Sequence, residues 1–108
     1  MDYLPLTEAI ADKKGFDIKV LDISKISSFA DIFIIASGNN VNQIQAICNN
    51  ILDVAHKNHY EVKMLEGYDK ANWILIDFGD IIVHIFDREN RNYYHLDHLW
   101  NDATVLME

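Results

Sequence analysis

The spacing of apolar residues along this chain changes several times, and each change marks an element. Leu6, Ala9, Ile10 and Lys13 recur at helical spacing behind Pro5, a residue suited to a helix's first turn. Gly15 stands where a C-terminal cap belongs, so a short helix is predicted over residues 5–14. Asp17 to Asp22 alternates as a strand, with Ile18 and Val20 on one face. Ile23 to Phe29 is polar and turn-like. Asp31 to Ser37 is a near-continuous apolar run, the mark of a strand buried on both faces, and Gly38-Asn39-Asn40 breaks it. Asn40 with Gln43 three residues on has the form of a capping box. Behind it Ile44, Ile47, Ile51 and Val54 or Ala55 make one stripe, predicting a long helix over 41–59 with Cys48 as a small core residue. Glu61 to Leu65 reads as the next strand. Strand, helix and strand then form a crossover, right-handed if the two strands are parallel.

The last third is the most distinctive. Trp73 to Phe78 and Ile81 to Phe86 form a hairpin around Gly79-Asp80, and glycine at the first turn position fits a type II′ turn. A two-residue turn pairs Phe78 with Ile81, Ile76 with Val83 and Ile74 with Ile85, an apolar set that should meet the core. The opposite face then pairs Asp77 with Ile82, Leu75 with His84 and Trp73 with Phe86. Asp87 caps a final helix on which Tyr93, Leu96, Leu99 and Trp100 share a face, and residues 101–108 read as a frayed tail. The whole is one domain over residues 1–108, of class α/β or α+β, with about five strands in a mixed sheet flanked by three helices.

Composition narrows the setting. Half the residues are hydrophobic, as in a folded globular chain. The longest apolar run, Ile32 to Ala36, is far too short to span a bilayer, and Met1-Asp2 opens without a basic leader. Cys48 has no cysteine to pair with inside the chain. The expectation is a cytoplasmic protein. The net charge of −8 is unevenly placed: residues 61–108 hold ten acids against four bases, residues 1–60 seven against five. Such a surface repels phosphate backbones and suits a basic protein partner, although charge of this kind also simply confers solubility.

Candidate chemistry is sparse. His95 and His98, with Asp97 and Asp102 nearby, fall short of a zinc set, because spacing fixes no third ligand. His56 and His59 end the long helix, where they can satisfy terminal carbonyls. Ser24, Ser27, Ser28 and Ser37 lie near strand ends without a Gly-x-Ser-x-Gly elbow and read as turn and cap residues. Gly38-Asn39-Asn40 could offer backbone N–H groups to an anion, but no Walker lysine or Gly-x-Gly-x-x-Gly accompanies it. Asp77 and Asp80 are three apart across a turn, not the Asp-x-Asp of a metal-dependent nucleotidyl transferase. His84, mid-strand, has two readings: a histidine bonded to a neighbour such as Asp77 or a tyrosine, or an interface contact. The outer hairpin face, with Tyr94 and Trp100, has the aromatic and acidic make-up of a protein interface, unless the final helix packs over it.

The chain also resembles a known family. The resemblance is carried by Asp12-Lys-Lys-Gly-Phe-Asp-Ile, by Val20-Leu-Asp-Ile-Ser and by Ser27-Ser-Phe-Ala-Asp-Ile-Phe-Ile-Ile-Ala-Ser-Gly38. It is strongest in Glu66-Gly67, in Trp73-Ile-Leu-Ile-Asp-Phe-Gly-Asp-Ile-Ile-Val-His-Ile-Phe86 and in Arg91-x-Tyr-Tyr-x-Leu-x-x-Leu-Trp100. These stretches are similar to the ribosomal silencing factor (RsfS, or Iojap-like) family. The resemblance implies a non-enzymatic translational repressor, without catalytic residue, metal or cofactor. Such a factor binds the large ribosomal subunit through ribosomal protein L-fourteen and blocks joining of the small subunit when nutrients are short, with a link to late large-subunit maturation. It implies a nucleotidyltransferase-like fold lacking the catalytic carboxylates, and a homodimer away from the ribosome. Neither a membrane nor sequence-specific nucleic acid is an expected partner. Carried onto this chain, the motif assigns partner contact, or its immediate support, to Glu66, Trp73, Leu75, Asp77, Asp80, His84, Tyr94 and Trp100, with Arg91 as structural partner of a nearby acid. Asp97 replaces the family's common Glu, and a short acidic tail follows Trp100. The alternative is a small metal-dependent nucleotidyltransferase-like enzyme; a third reading is a dimerisation module using the same hairpin face.

Overall fold

The structure, a computed structural model, describes residues 1–94 and 102–108. The elements run α1 (Leu4–Asp12), β1 (Phe16–Asp22), β2 (Ile32–Ser37), α2 (Val41–Lys57), β3 (Met64–Glu66), β4 (Trp73–Asp77), β5 (Ile81–Phe86), α3 (Arg88–Tyr94) and β6 (Thr104–Met107). The described strands form one mixed sheet of six, in the order β3-β4-β5-β2-β1-β6, in which β2 and β5 run parallel and the other neighbours antiparallel.

The ends of α1 and α2 are fixed by local chemistry. Each closes in a Schellman motif. For α1, Gly15 N–H donates to the Ile10 carbonyl and Lys14 N–H to that of Ala11; for α2, Tyr60 and His59 do the same to Ala55 and His56. The left-handed position is therefore Lys14 (φ 66°) in one helix and His59 (φ 62°) in the other, not glycine. Gly15 is needed one residue later for close approach: a Cβ there would lie 2.4 Å from Ile10 Cγ2. At the start of α2, Asn40 Oδ1 accepts from Gln43 N–H (2.8 Å), while Gln43 Oε1 reaches past the cap to Asn39 N–H (2.6 Å). Gln43 Nε2 also donates to the carbonyls of Lys13 and Lys14, and Asn50 Nδ2 to that of Ala9, which clamps α1 onto α2.

The hairpin pairs as the alternation requires: Ile74 with Ile85, Leu75 with His84, Ile76 with Val83, Asp77 with Ile82 and Trp73 with Phe86. Gly79 takes φ 93° while Asp80 stays out of the left-handed region, as a type II′ turn demands. One core lies between the sheet and α1 and α2, built from Leu6, Ile10, Ile44, Ile47 and Ile51 against Val20, Ile34, Ile74, Ile76, Val83 and Ile85. A second, smaller core lies on the other face: Leu21, Ile23, Ala30, Phe33, Ile35, Ile82 and Phe86, with Trp73, Leu75 and Ala103 against it. The central pair β2 and β5 is buried on both sides, which is why both strands are almost wholly apolar.

Three expectations need correction. The sheet has six strands rather than five, because the supposed frayed tail holds β6, paired antiparallel to β1 with Val20 opposite Met107. Met107 packs on the main core, and Glu108 reaches Lys19 Nζ at 3.9 Å, so the end of the chain has side chains to fix it. The strand expected at 61–65 is the shorter Met64–Glu66, paired antiparallel with β4 at the sheet edge; it does complete the expected crossover, running parallel to β2 with β5 and β4 between them. The parallel partner of β2 is β5, reached through α2, β3 and β4. Residues 95–101, including Leu96, Leu99 and Trp100, lie outside the described residues.

Candidate docking face

The second face of the sheet carries the hairpin side chains that the sequence singled out. Register places Glu66 opposite Leu75, Leu75 opposite His84, and His84 beside Ile35, so one row crosses four strands from the β3 edge to the centre. Along it the environment changes from water to core. Glu66 is exposed, Leu75 half-buried, His84 only 4% exposed and Ile35 fully buried.

His84 is the hub. Its Nδ1 accepts from Trp73 Nε1 at 3.1 Å, so the proton of the neutral ring sits on Nε2. Nε2 is buried and has no hydrogen-bond partner among the described residues. Rings close round it: Phe33 meets it edge-on with centroids 4.7 Å apart, Phe86 lies parallel at 6.2 Å, and Trp73 stacks on Phe86 at 5.1 Å. Burial pushes the imidazole pKa down from 6.5 to about 4, because the charged form has lost its water. His84 is therefore neutral at physiological pH and is a poor acid–base catalyst there. Of its two sequence readings, the bonded histidine is the one observed, but the partner is Trp73, not Asp77 or a tyrosine. His84 supports the face from beneath.

Asp77 and Asp80 have structural duties at the turn. Asp77 Oδ1 accepts from Gly79 N–H at 2.7 Å, closing the hairpin tip. The Asp80 carbonyl accepts from the N–H groups of Asp31 and Ile32, pinning the turn to the start of β2, while the residue itself is exposed. Asp77 is half-buried. One carboxylate is thus engaged at the turn and the other lies at the surface. Among the described residues, no three His, Cys, Asp or Glu side chains are grouped to hold a metal. Burial also pushes the Cys48 thiol up to about 11, which leaves it a packing residue.

Glu66, Trp73, Leu75, Asp77, Asp80 and His84 thus share one face or its rim. Tyr94 ends α3 without a described side chain, and Trp100 lies outside the described residues. Arg91 Nη1 donates to the Asp17 carbonyl and to Ser37 Oγ. Of the Gly38-Asn39-Asn40 amides considered for an anion, Gly38 N–H donates to the Phe86 carbonyl and Asn39 N–H to Gln43 Oε1. Sequence reasoning missed Phe29 and Ile26. Phe29 is 61% exposed with its ring 6.2 Å from Phe33, and Ile26 is 43% exposed; both belong to the β1–β2 connection over this face. An exposed aromatic inside a segment otherwise read as a polar turn was the available signal.

Comparison with known proteins gives this face a context. A family model described as "Ribosomal silencing factor during starvation" matches residues 3–108. The chain is 47% identical over 97 residues to the ribosomal silencing factor RsfS of Bacillus subtilis, covering 90% of this chain and 82% of that protein. It is 35% identical over 102 residues to the chloroplastic protein Iojap of Zea mays, covering 94% of this chain and 44% of the longer plant protein. A crystal structure from Bacillus halodurans superimposes with a TM-score of 0.85 at 38% identity, covering 97% of this chain and 95% of that one. One from Chromobacterium violaceum gives 0.87 at 31%, covering 94% and 88%. With nearly its whole length matched in sequence and in fold, the chain belongs to the ribosomal silencing factor family.

Proposed function

We propose that this protein is a non-enzymatic translational repressor that binds the large ribosomal subunit and blocks its joining to the small subunit. Its partner there is ribosomal protein L-fourteen, and the effect is slower synthesis under nutrient limitation; a part in large-subunit maturation goes with the same site. The observation that carries the reading is the family match over residues 3–108. The second sheet face agrees with it. Exposed acids (Glu66, Asp80) at the rim attract lysine and arginine of a basic ribosomal protein, while Phe29, Trp73 and Leu75 supply apolar area toward the centre. In this reading the sheet is a nucleotidyltransferase-like framework without converging carboxylates, working in the cytoplasm and forming a homodimer when free. A steric plug needs a firmly packed face, and the ring cluster round His84 provides one.

Sucrose-gradient sedimentation of purified subunits under joining conditions tests this. The protein should travel with the large subunit and lower the joined peak. Its staying at the top of the gradient, with joining unchanged, would refute the reading.

A further inference from the structure

At the carboxyl end of β2, Phe16, Asp17, Ser37, Arg88, Arg91 and Asn92 line an open hollow of about 110 Å³. Ligand pockets for drug-sized molecules run to roughly 300–1,000 Å³, so this one fits a single small group. Its donors are unusual in a chain of net charge −8. Arg88 lies over the Phe16 ring, its Cζ 4.3 Å from the centroid, and Nε donates to Asn39 Oδ1 at 3.2 Å. These contacts fix the guanidinium plane yet leave its Nη groups without a hydrogen bond or carboxylate among the described residues. The adjacent Asp87 carboxylate is turned to Asn90, accepting from its N–H at 2.7 Å and its Nδ2 at 2.9 Å.

The second observation is Ser37. It is 2% exposed, and its Oγ accepts from Arg91 Nη1 at 3.0 Å. A guanidinium accepts nothing, so the hydroxyl proton is left over, and no acceptor meets it among the described residues. A buried hydroxyl proton and an oriented guanidinium edge therefore line one hollow. Asp17, exposed at the rim, opposes any anion and keeps affinity modest, and its carbonyl is held by Arg91 at 2.6 Å.

We propose that this hollow binds a phosphate group, with Arg88 Nη and Ser37 Oγ–H as donors. An isolated hollow on an acidic chain suits one terminal or free phosphate; a polyanionic strand would need a basic track to follow. The site is distinct from the docking face and does not depend on the ribosome reading.

Amide and arginine Nε signals, followed by NMR during titration with inorganic phosphate against chloride at matched ionic strength and pH, test it. Arg88 Nε and the amides of Gly38 and Asn39 should shift and saturate at millimolar phosphate. Arg88→Gln, an exposed position whose change spares the fold, should weaken binding about tenfold, and Ser37→Ala about fivefold. Adenosine monophosphate moving the same signals more tightly would identify a nucleotide's terminal phosphate as the source; equal affinity would identify phosphate itself. Linear shifts without saturation, saturation unchanged in Arg88→Gln, or the same shifts from unphosphorylated adenosine would overturn the proposal.

Discussion

The two faces of this sheet are both apolar and both packed, yet they are built differently. The helix-covered face is built largely of aliphatic chains packed under α1 and α2. The other is made of rings around one buried imidazole, is covered by the β1–β2 connection and Ala103, and ends in exposed acids and an exposed phenylalanine. The first is a stability core. The second adds a partly open surface, and its buried imidazole is held by a hydrogen bond from Trp73, a residue of that surface. In the proposed reading, stability and recognition are separated by the thickness of one sheet.

Substitutions can break this contrast. The largest effect is expected on the helix face: Ile47→Ala, fully buried, should cost about 2–5 kcal/mol in denaturant unfolding without specifically changing partner binding. Trp73→Phe keeps a ring but removes the donor to His84, leaving Nδ1 buried without a hydrogen bond; a loss of about 1–3 kcal/mol is expected, together with weaker large-subunit binding in a pelleting assay. Loss of stability with unchanged binding would make Trp73 purely structural.

Acid should act through His84. Its folded pKa, about 4, lies below the ordinary 6.5, so the unfolded chain takes up that proton first. The contribution is fully present above about pH 6.5, falls as pH drops toward 4 and levels off below; the span is about 3 kcal/mol. Unfolding free energies measured across this range should show the slope in the natural chain and lose that share in His84→Leu. The smallest effect is a gain: His59→Gly relieves a left-handed non-glycine residue at the end of α2 and should stabilise by about 1 kcal/mol, read as a raised thermal midpoint.

Much of this molecule is legible in its sequence. The hairpin register and the α2 stripe follow from period alone, and the doubly buried β2 from its unbroken apolar run. What failed depends on contacts remote in the chain. Nothing local in Thr104–Met107 reveals that β1 has a free edge to receive it, and a terminal position argued for fraying. That β4 and β5 insert between β2 and β3 was equally hidden, because strand order is a property of the whole sheet. At the face, alternation showed that Leu75, His84 and Trp73 point the same way, but depth was invisible: the sequence does not say that the β1–β2 connection folds over His84. Nor does it say that Asp77 spends its carboxylate on the turn. Phe29 escaped because Ser27 and Ser28 precede it, and a residue beside turn signals looks like loop.

The most direct test is a matched charge reversal on the two faces, with affinity for purified large subunits measured by pelleting at fixed salt. One variant carries Glu66→Lys and Asp80→Lys at the rim of the ring-built face. The other carries Glu8→Lys and Asp53→Lys, exposed acids of α1 and α2. Both change net charge equally, so long-range attraction is affected alike. The account predicts about a tenfold or greater loss for the first variant and little change for the second. Equal losses, or a loss confined to the helix-face variant, would contradict the assignment of the docking face.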